Sequence, residues 1–265
     1  MKKKEEANTA LQPVASNAVA TASDDFAQYA NAGMENVVAS DVLIPRLTIL
    51  QQMSPQLNSK KTEYVRGAEI GNICDVGTGE LFPEGILFLP VYYRKDYLEW
   101  APRATGKGLV AVHSDPSVLD RCKRNDKNQP ITASGNLIAE TAQWFGLNLT
   151  ADGRRSFLPM SSTQLKKSRR WMTLATGERL ARADGSTFTP PLFYRAYNLV
   201  TAEESNNEGD WSGWKIERGL SMPELGDNWR DIRDTCIAFR EQLIAGQVRG
   251  EIADSEESTS SEGAM

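Results

Sequence analysis

The segment GILFLPVYYRKDYLEW (85–100) is the clearest indication of the fold class in this sequence. It is rich in β-branched and aromatic residues, which favour β-strands. Turn-forming residues precede it at 77–79 and 83–85, and the segment before them, EIGNICDV (69–76), is also strand-like. The sequence therefore predicts a hairpin-like arrangement around residues 69–100.

Further strand-like and helix-like segments extend outward from this stretch. The predicted strands are VLIPRLTIL (42–50), 136–150, 191–202 and 210–220. One predicted helix is 161–176, with Ser162 or Thr163 as its N-cap. The other is 227–246, where apolar residues recur every three or four positions from Trp229 to Leu243. Strands at regular spacing with two helices predict a β-rich α+β fold, an OB-like barrel elaborated with helices.

Composition divides the chain into three parts. Residues 1–40 are rich in Ala, Asn, Ser and Thr and predict a disordered N-terminal arm. Residues 41–249 hold the predicted strands and helices and form the expected binding domain. Residues 250–265 (GEIADSEESTSSEGAM) are acidic and rich in Ser, which predicts a disordered C-terminal tail.

The net charge of −5 is unevenly distributed along the chain. Both ends are acidic, whereas residues 41–250 hold 27 basic and 25 acidic residues. Within that core, residues 154–195 carry nine Lys and Arg against Glu178 and Asp184. A segment with a charge of +7 on an acidic protein indicates an anionic partner.

Several classes of function have no support in the sequence. No apolar run is long enough to span a membrane, and the N-terminal lysines are followed by acidic residues where a secretory signal needs an apolar region. The three separated cysteines favour a reducing cytoplasm over a disulfide framework. His113 is the only histidine, and neither a catalytic triad nor a metal or phosphate-loop motif is complete. We therefore expect no enzyme activity, no metal, no cofactor and no membrane partner.

Aromatic residues interleaved with cations indicate contact with single-stranded DNA. Such DNA exposes the faces of its bases, which stack on aromatic rings, and its phosphates attract Lys and Arg. Strand aromatics are commonly core residues, so packing is the alternative role for each ring. The candidate nucleic-acid-binding residues are Tyr93, Arg94, Lys95, Tyr97, Trp100, Arg103, Lys166, Lys167, Arg169, Arg170, Trp171, Tyr194, Arg195 and Tyr197.

Three segments carry a resemblance to a known family: IPRLTILQQMSPQ (44–56), RGAEIGNICDVGTGELF (66–82) and ILFLPVYYRKDYLEW (86–100). Over roughly residues 40–245 the chain resembles the single-stranded-DNA-binding proteins of lytic podoviruses that package a virion RNA polymerase. The resemblance implies coating of single-stranded DNA during replication and recombination. It also implies help to the host RNA polymerase at late promoters, and location in the host cytoplasm.

Together these features predict sequence-independent binding of single-stranded DNA. Two alternatives remain open: a phage strand-annealing recombinase, which would form rings, and a structural or host-takeover protein that binds protein through the same surface. A nuclease is a more distant possibility. The expected partners besides DNA are phage replication proteins and host RNA polymerase. The acidic tail would bind them through Glu251, Asp254, Glu256, Glu257 and Glu262.

Overall fold

The computed structural model describes residues 27, 29–30, 32–37, 43–207 and 209–248. The chain divides into two compact units, residues 1–41 and 42–265. The described part of the first unit consists of turns, closed by backbone hydrogen bonds such as the one from Ala32 N to Tyr29 O. The second unit contains all the strands and helices given below.

Thirteen strands and two α-helices make up the described part of the second unit. The strands are β1 (Leu47–Ile49), β2 (Ile73–Asp75), β3 (Leu81–Phe82), β4 (Ile86–Trp100), β5 (Leu109–His113), β6 (Lys123–Arg124), β7 (Pro130–Ile131), β8 (Leu137–Asn148), β9 (Arg154–Ser161), β10 (Leu180–Ala181), β11 (Thr187–Phe188), β12 (Arg195–Asn206) and β13 (Gly209–Ser221). The helices are α1 (Gln164–Thr176) and α2 (Trp229–Ile244). Short 3-10 helices connect several of these elements.

The long strands form one curled antiparallel sheet of eight strands. Its main path is β13-β12-β4-β8-β7-β6, with β5 paired to β4 and β9 paired to β8. The centre is the β4–β8 pair, which extends from Phe88 opposite Asn148 to Trp100 opposite Leu137, with one register shift between Pro90 and Tyr92. This sheet and the two helices confirm the predicted β-rich α+β class, and the sheet curls into a half-barrel. An OB-type closure of the barrel stays a prediction.

Both faces of the β4–β8 pair are covered. On one face, Trp144 of β8 stacks on Trp171 of α1, with ring centroids 4.0 Å apart. On the other face, Arg155 of β9 lies over the ring of Phe239 of α2 at 5.0 Å and donates a 2.8 Å hydrogen bond to Gln242. Because both faces of this pair are largely covered, most residues of β4 are apolar, and its partly exposed charged residues are Arg94, Lys95 and Glu99.

A second, small sheet has the order β1-β2-β3 and packs its apolar residues into the same core. The turn after β2 is the one predicted at residues 77–79. The buried Asp75 carboxylate accepts hydrogen bonds there from the backbone N–H groups of Gly77 (3.0 Å) and Thr78 (3.1 Å). Arg154 of β9 lies 3.2 Å from the other carboxylate oxygen of Asp75, so this turn is connected to the large sheet.

The two terminal segments fall mainly beyond the described residues. The expected disordered arm, 1–40, is described only at residues 27, 29–30 and 32–37. The acidic tail, 250–265, lies wholly outside the described part of the chain, and its five candidate carboxylates lie there with it. The three-part division of the chain therefore stays a prediction.

Replacing Trp171 by alanine should lower the free energy of unfolding by roughly 3–5 kcal/mol, because a fully buried indole is lost from the core. Urea or thermal unfolding followed by circular dichroism measures the change. The control is Arg170→Ala on the exposed side of the same helix, where a change within about 0.5 kcal/mol is expected. Equal stability of the two variants would contradict the packing described above.

Candidate functional site

Four of the aromatic rings proposed as base platforms are core residues. Trp171 and Tyr197 are 0% and 1% exposed and contact each other edge to face at 5.4 Å. Trp100 and Tyr97 are 2% and 7% exposed, and Tyr97 packs beside Val118. Burial also raises the pKa of the Tyr197 hydroxyl. The expectation that these four rings lie at the surface is wrong, because helices and loops cover both faces of the sheet.

Two of the predicted aromatic rings are half-buried. Tyr93 is partly exposed, and its ring packs edge-on against Trp144 with ring centroids 4.9 Å apart. Tyr194 lies in the 3-10 helix Leu192–Tyr194, with the Arg195 guanidinium 6.0 Å from its ring. These two rings can still contact a ligand without unfolding of the core.

Three of the predicted phosphate contacts are ion-paired within the fold. Arg195 makes a bidentate salt bridge with Glu178 and also donates a 2.8 Å hydrogen bond to the carbonyl of Gly219. Arg94 donates a 2.9 Å hydrogen bond to the buried Asp96. Lys167 is paired with Glu204 and donates to a backbone carbonyl on β13. The expectation that these three cations are free for phosphate is corrected, because a carboxylate of the folded chain pairs with each of them.

The position of another predicted cation, Arg103, is known only for its backbone. It opens the 3-10 helix Arg103–Thr105, and its side chain lies outside the described part of the structure. Its contact with DNA stays a prediction.

The four other predicted cations come together on one surface. Lys166, Arg169 and Arg170 are exposed on α1, and Lys95 of β4 lies close by. Glu140 of β8 connects the two elements, since its carboxylate is 2.8 Å from Lys95 and 3.5 Å from Arg169. The hydrogen bond to Glu140 raises the pKa of Lys95, which stays protonated at neutral pH. We call Lys95, Lys166, Arg169 and Arg170 the cation face.

The cation face keeps a positive charge after internal pairing. Glu140 pairs with two of its four cations, Lys95 and Arg169, so the four cations and this carboxylate together carry a net charge of +3. Among the described residues, Lys166 and Arg170 have no ion-pair partner. This arrangement can bind a flexible polyanion.

A half-open cavity of about 610 Å³ lies beside the cation face. It is lined by Tyr92 and Tyr93 of β4, Met172 of α1, Phe193, and Arg240 of α2, among others. We call it the edge cavity, since it wraps around one edge of β4. Sequence reasoning placed only Tyr93 of these residues at the site. Arg240 gave no sequence signal, because it comes from a helix distant in the chain.

The titratable groups away from the cation face include one His–Glu pair and two buried cysteines. Within the described part of the chain, no group of three or more His, Cys, Asp or Glu side chains is placed to hold a metal ion. His113 lies 2.8 Å from Glu99, which in turn accepts a 2.7 Å hydrogen bond from Asn136. Burial raises the pKa of the Cys74 thiol to about 11 and that of Cys236 to about 12, so neither forms a reactive thiolate at neutral pH.

Comparison with known proteins places the chain among bacteriophage proteins. A family model described as Pam3 phage gp34-like protein matches residues 14–225, which is most of the chain. The protein belongs to this family. No curated protein and no solved structure matches it. The resemblance to podovirus single-stranded-DNA-binding proteins therefore stays a prediction, while the phage origin that it implied is supported.

The described part of the chain contains no helix that combines the length and apolarity needed to cross a membrane.

The Arg195–Glu178 pair predicts a pH dependence of stability. The hydrogen bond from Arg195 holds the pKa of Glu178 below its usual value. The pair therefore stabilises the fold fully above the unfolded carboxyl pKa of about 4.3, and the stabilisation is lost as the pH falls through the lower folded value. Glu178→Gln should lower the free energy of unfolding at pH 7 by roughly 1–3 kcal/mol. The difference from the unmodified protein should shrink below pH 4.

Urea unfolding at pH 7 and at several values between pH 5 and 3 measures this effect. The exposed Glu203→Gln on β12 is the matched control and should change little at any pH. A deficit of Glu178→Gln that is constant down to pH 3 would show that the pair does not stabilise the fold as described.

Proposed function

We propose that this phage protein binds single-stranded DNA without sequence preference and serves in phage DNA replication and recombination. The observation that supports this most directly is the cation face, where four cations lie together and Glu140 pairs with only two of them. Phosphate contacts carry no base information, so a surface of this kind binds all sequences alike. The half-buried ring of Tyr93 lies two residues from Lys95 on β4, which brings a base platform next to the phosphate contacts.

The path of the DNA differs from the one expected for an OB-like barrel. In OB-fold proteins single strands bind across an exposed face of the barrel. Here α1 and α2 cover both faces of the β4–β8 pair, so in this proposal the strand crosses the outer surface of α1. The curled sheet then holds α1 in place. That this sheet is an OB-like barrel remains part of the proposal.

The rest of the proposed role concerns partners and location. The protein would act as a binding protein and not as an enzyme, in the host cytoplasm. Its acidic tail would dock phage replication proteins and, at late promoters, host RNA polymerase. A strand-annealing recombinase would share the cation face but form rings, which a sizing column run with and without DNA would reveal.

Binding of a dT oligonucleotide should weaken steeply with salt. If the four cations of the cation face each contact a phosphate, the slope of log K against log salt should be about −2.8, at roughly −0.7 per contact. Replacing Lys166 and Arg170 together by glutamate should reduce the slope by about 1.4 and weaken dT, dA and mixed oligonucleotides alike. Fluorescence anisotropy titrations at several salt concentrations measure both effects.

The matched control replaces Lys60 and Lys61 by glutamate, which changes the net charge equally at two exposed lysines in a separate loop. This variant should keep nearly the full slope. Binding to DNA that does not depend on salt, or equal losses in both double variants, would overturn the proposal.

A further inference from the structure

The edge cavity arises from a gap in the pairing of β4. On the side opposite β8, strand β12 pairs with β4 only at Ile86–Phe88, and β5 pairs only at Tyr97–Trp100. Within the described part of the sheet, residues 89–96 therefore have no strand neighbour on that side. The register with β8 also shifts between Pro90 and Tyr92, so the strand is irregular at this point.

The 3-10 helix Leu192–Tyr194 packs against β4 at this gap. It lies where an added strand would have to pair, so it obstructs a continuous ladder between β4 and a bound peptide. The accessible space lies between side chains, not along a free backbone edge. This favours a ligand that inserts a flat group over a ligand that extends the sheet.

The lining of the edge cavity is aromatic and apolar, with one cation. Three rings contribute, those of Tyr92, Tyr93 and Phe193, together with Met172 and Ile237. Arg240 supplies the only charge among the lining residues, all of which are described, and no carboxylate is present. Flat, apolar walls with a cation at the side suit a planar base attached to a phosphate. The volume of about 610 Å³ lies within the range of small-molecule sites, roughly 300–1,000 Å³.

The cavity is lined by residues of β4 and α1, the two elements that carry the cation face. Met172 follows Arg169 by three positions on α1, so both project from the same flank of the helix. Tyr93 and Lys95 point to the same face of β4 and are separated by roughly 7 Å along the strand. A DNA backbone held at Lys95 and Arg169 is therefore within reach of the cavity, and Arg240 lies on its far side.

We propose that the edge cavity is a base-binding site, in which bases of the bound single strand leave the stack and contact Tyr92, Tyr93 and Phe193. This inference rests on the proposed function and assigns its base-contacting site. The cation face holds the phosphates, and the cavity distinguishes a strand that carries bases from a bare sugar-phosphate chain.

The test compares two oligonucleotides of equal length, one of dT and one abasic, in the full chain. Phe193→Ala should weaken dT binding roughly tenfold and leave abasic binding unchanged, since only the stacking surface is lost. Phe193→Tyr keeps the ring and should restore dT binding. The control Tyr64→Ala removes a ring that is 44% exposed and not part of the cavity, and should change neither affinity.

A second measurement does not depend on any variant. Ultraviolet crosslinking of an oligonucleotide that carries 5-iodouracil, followed by mass spectrometry, should place crosslinks on Tyr92, Tyr93 or Phe193. Crosslinks confined to other residues would overturn the inference. So would Phe193→Ala binding dT as tightly as the unmodified chain, the result expected if the cavity holds a polypeptide.

The two proposals fail in different ways. If the unmodified protein binds neither oligonucleotide, the proposed function and the base-binding site are both wrong. If it binds dT and abasic chains equally and with the same salt dependence, the cation face is supported and the base-binding site is wrong.

Discussion

The Trp144 indole on β8 and the Trp171 indole on α1 stack almost in parallel, with 14° between their planes. Phe88 of β4 and Tyr197 of β12 contact the same Trp171 ring edge to face. Large aromatic side chains each bury roughly 150–250 Å² and dominate the energetics of the cores in which they pack. This cluster joins three strands of the sheet to one helix, so the position of α1 depends on it.

The position of α1 decides which cations are available. One flank of the helix faces β12 and β13, where Lys167 is paired with Glu204. The opposite flank faces β4 and β8, where Arg169 shares Glu140 with Lys95. Between these flanks, Lys166 and Arg170 point to solvent. The orientation of α1 about its own axis therefore decides which of its cations face a carboxylate and which face solvent.

The edge cavity also follows from the path of the central strand. Pro90 has no backbone N–H to donate, and the register of β4 shifts just after it. Strand β12 pairs with β4 only up to Phe88, and β5 joins only from Tyr97 onward. The space between them is bordered by both helices, which explains why residues distant in sequence line one cavity next to one charged surface.

The elements with a strong local pattern could be predicted from the sequence. The predicted strand at 85–100 is observed as Ile86–Trp100, and the predicted helix at 227–246 as Trp229–Ile244. β-Branched and aromatic runs and a three-to-four-residue apolar period are local signals, so no knowledge of distant contacts was needed. Strand β9 (Arg154–Ser161) was missed, because two arginines and Pro159 hide its pattern.

Which side chains of those elements are free to bind a ligand depends on tertiary contacts. Alternation along β4 separates Tyr93 from Tyr92 but does not show what covers each face. Tyr97 is a core residue because Val118 and Ile138 pack beside it. Charge counting found the excess of Lys and Arg but not their partners, since Asp75, Glu140 and Glu204 lie far away in the sequence. The burial of a side chain and these ion pairs depend on residues that are distant in the sequence. A local sequence pattern therefore does not predict them.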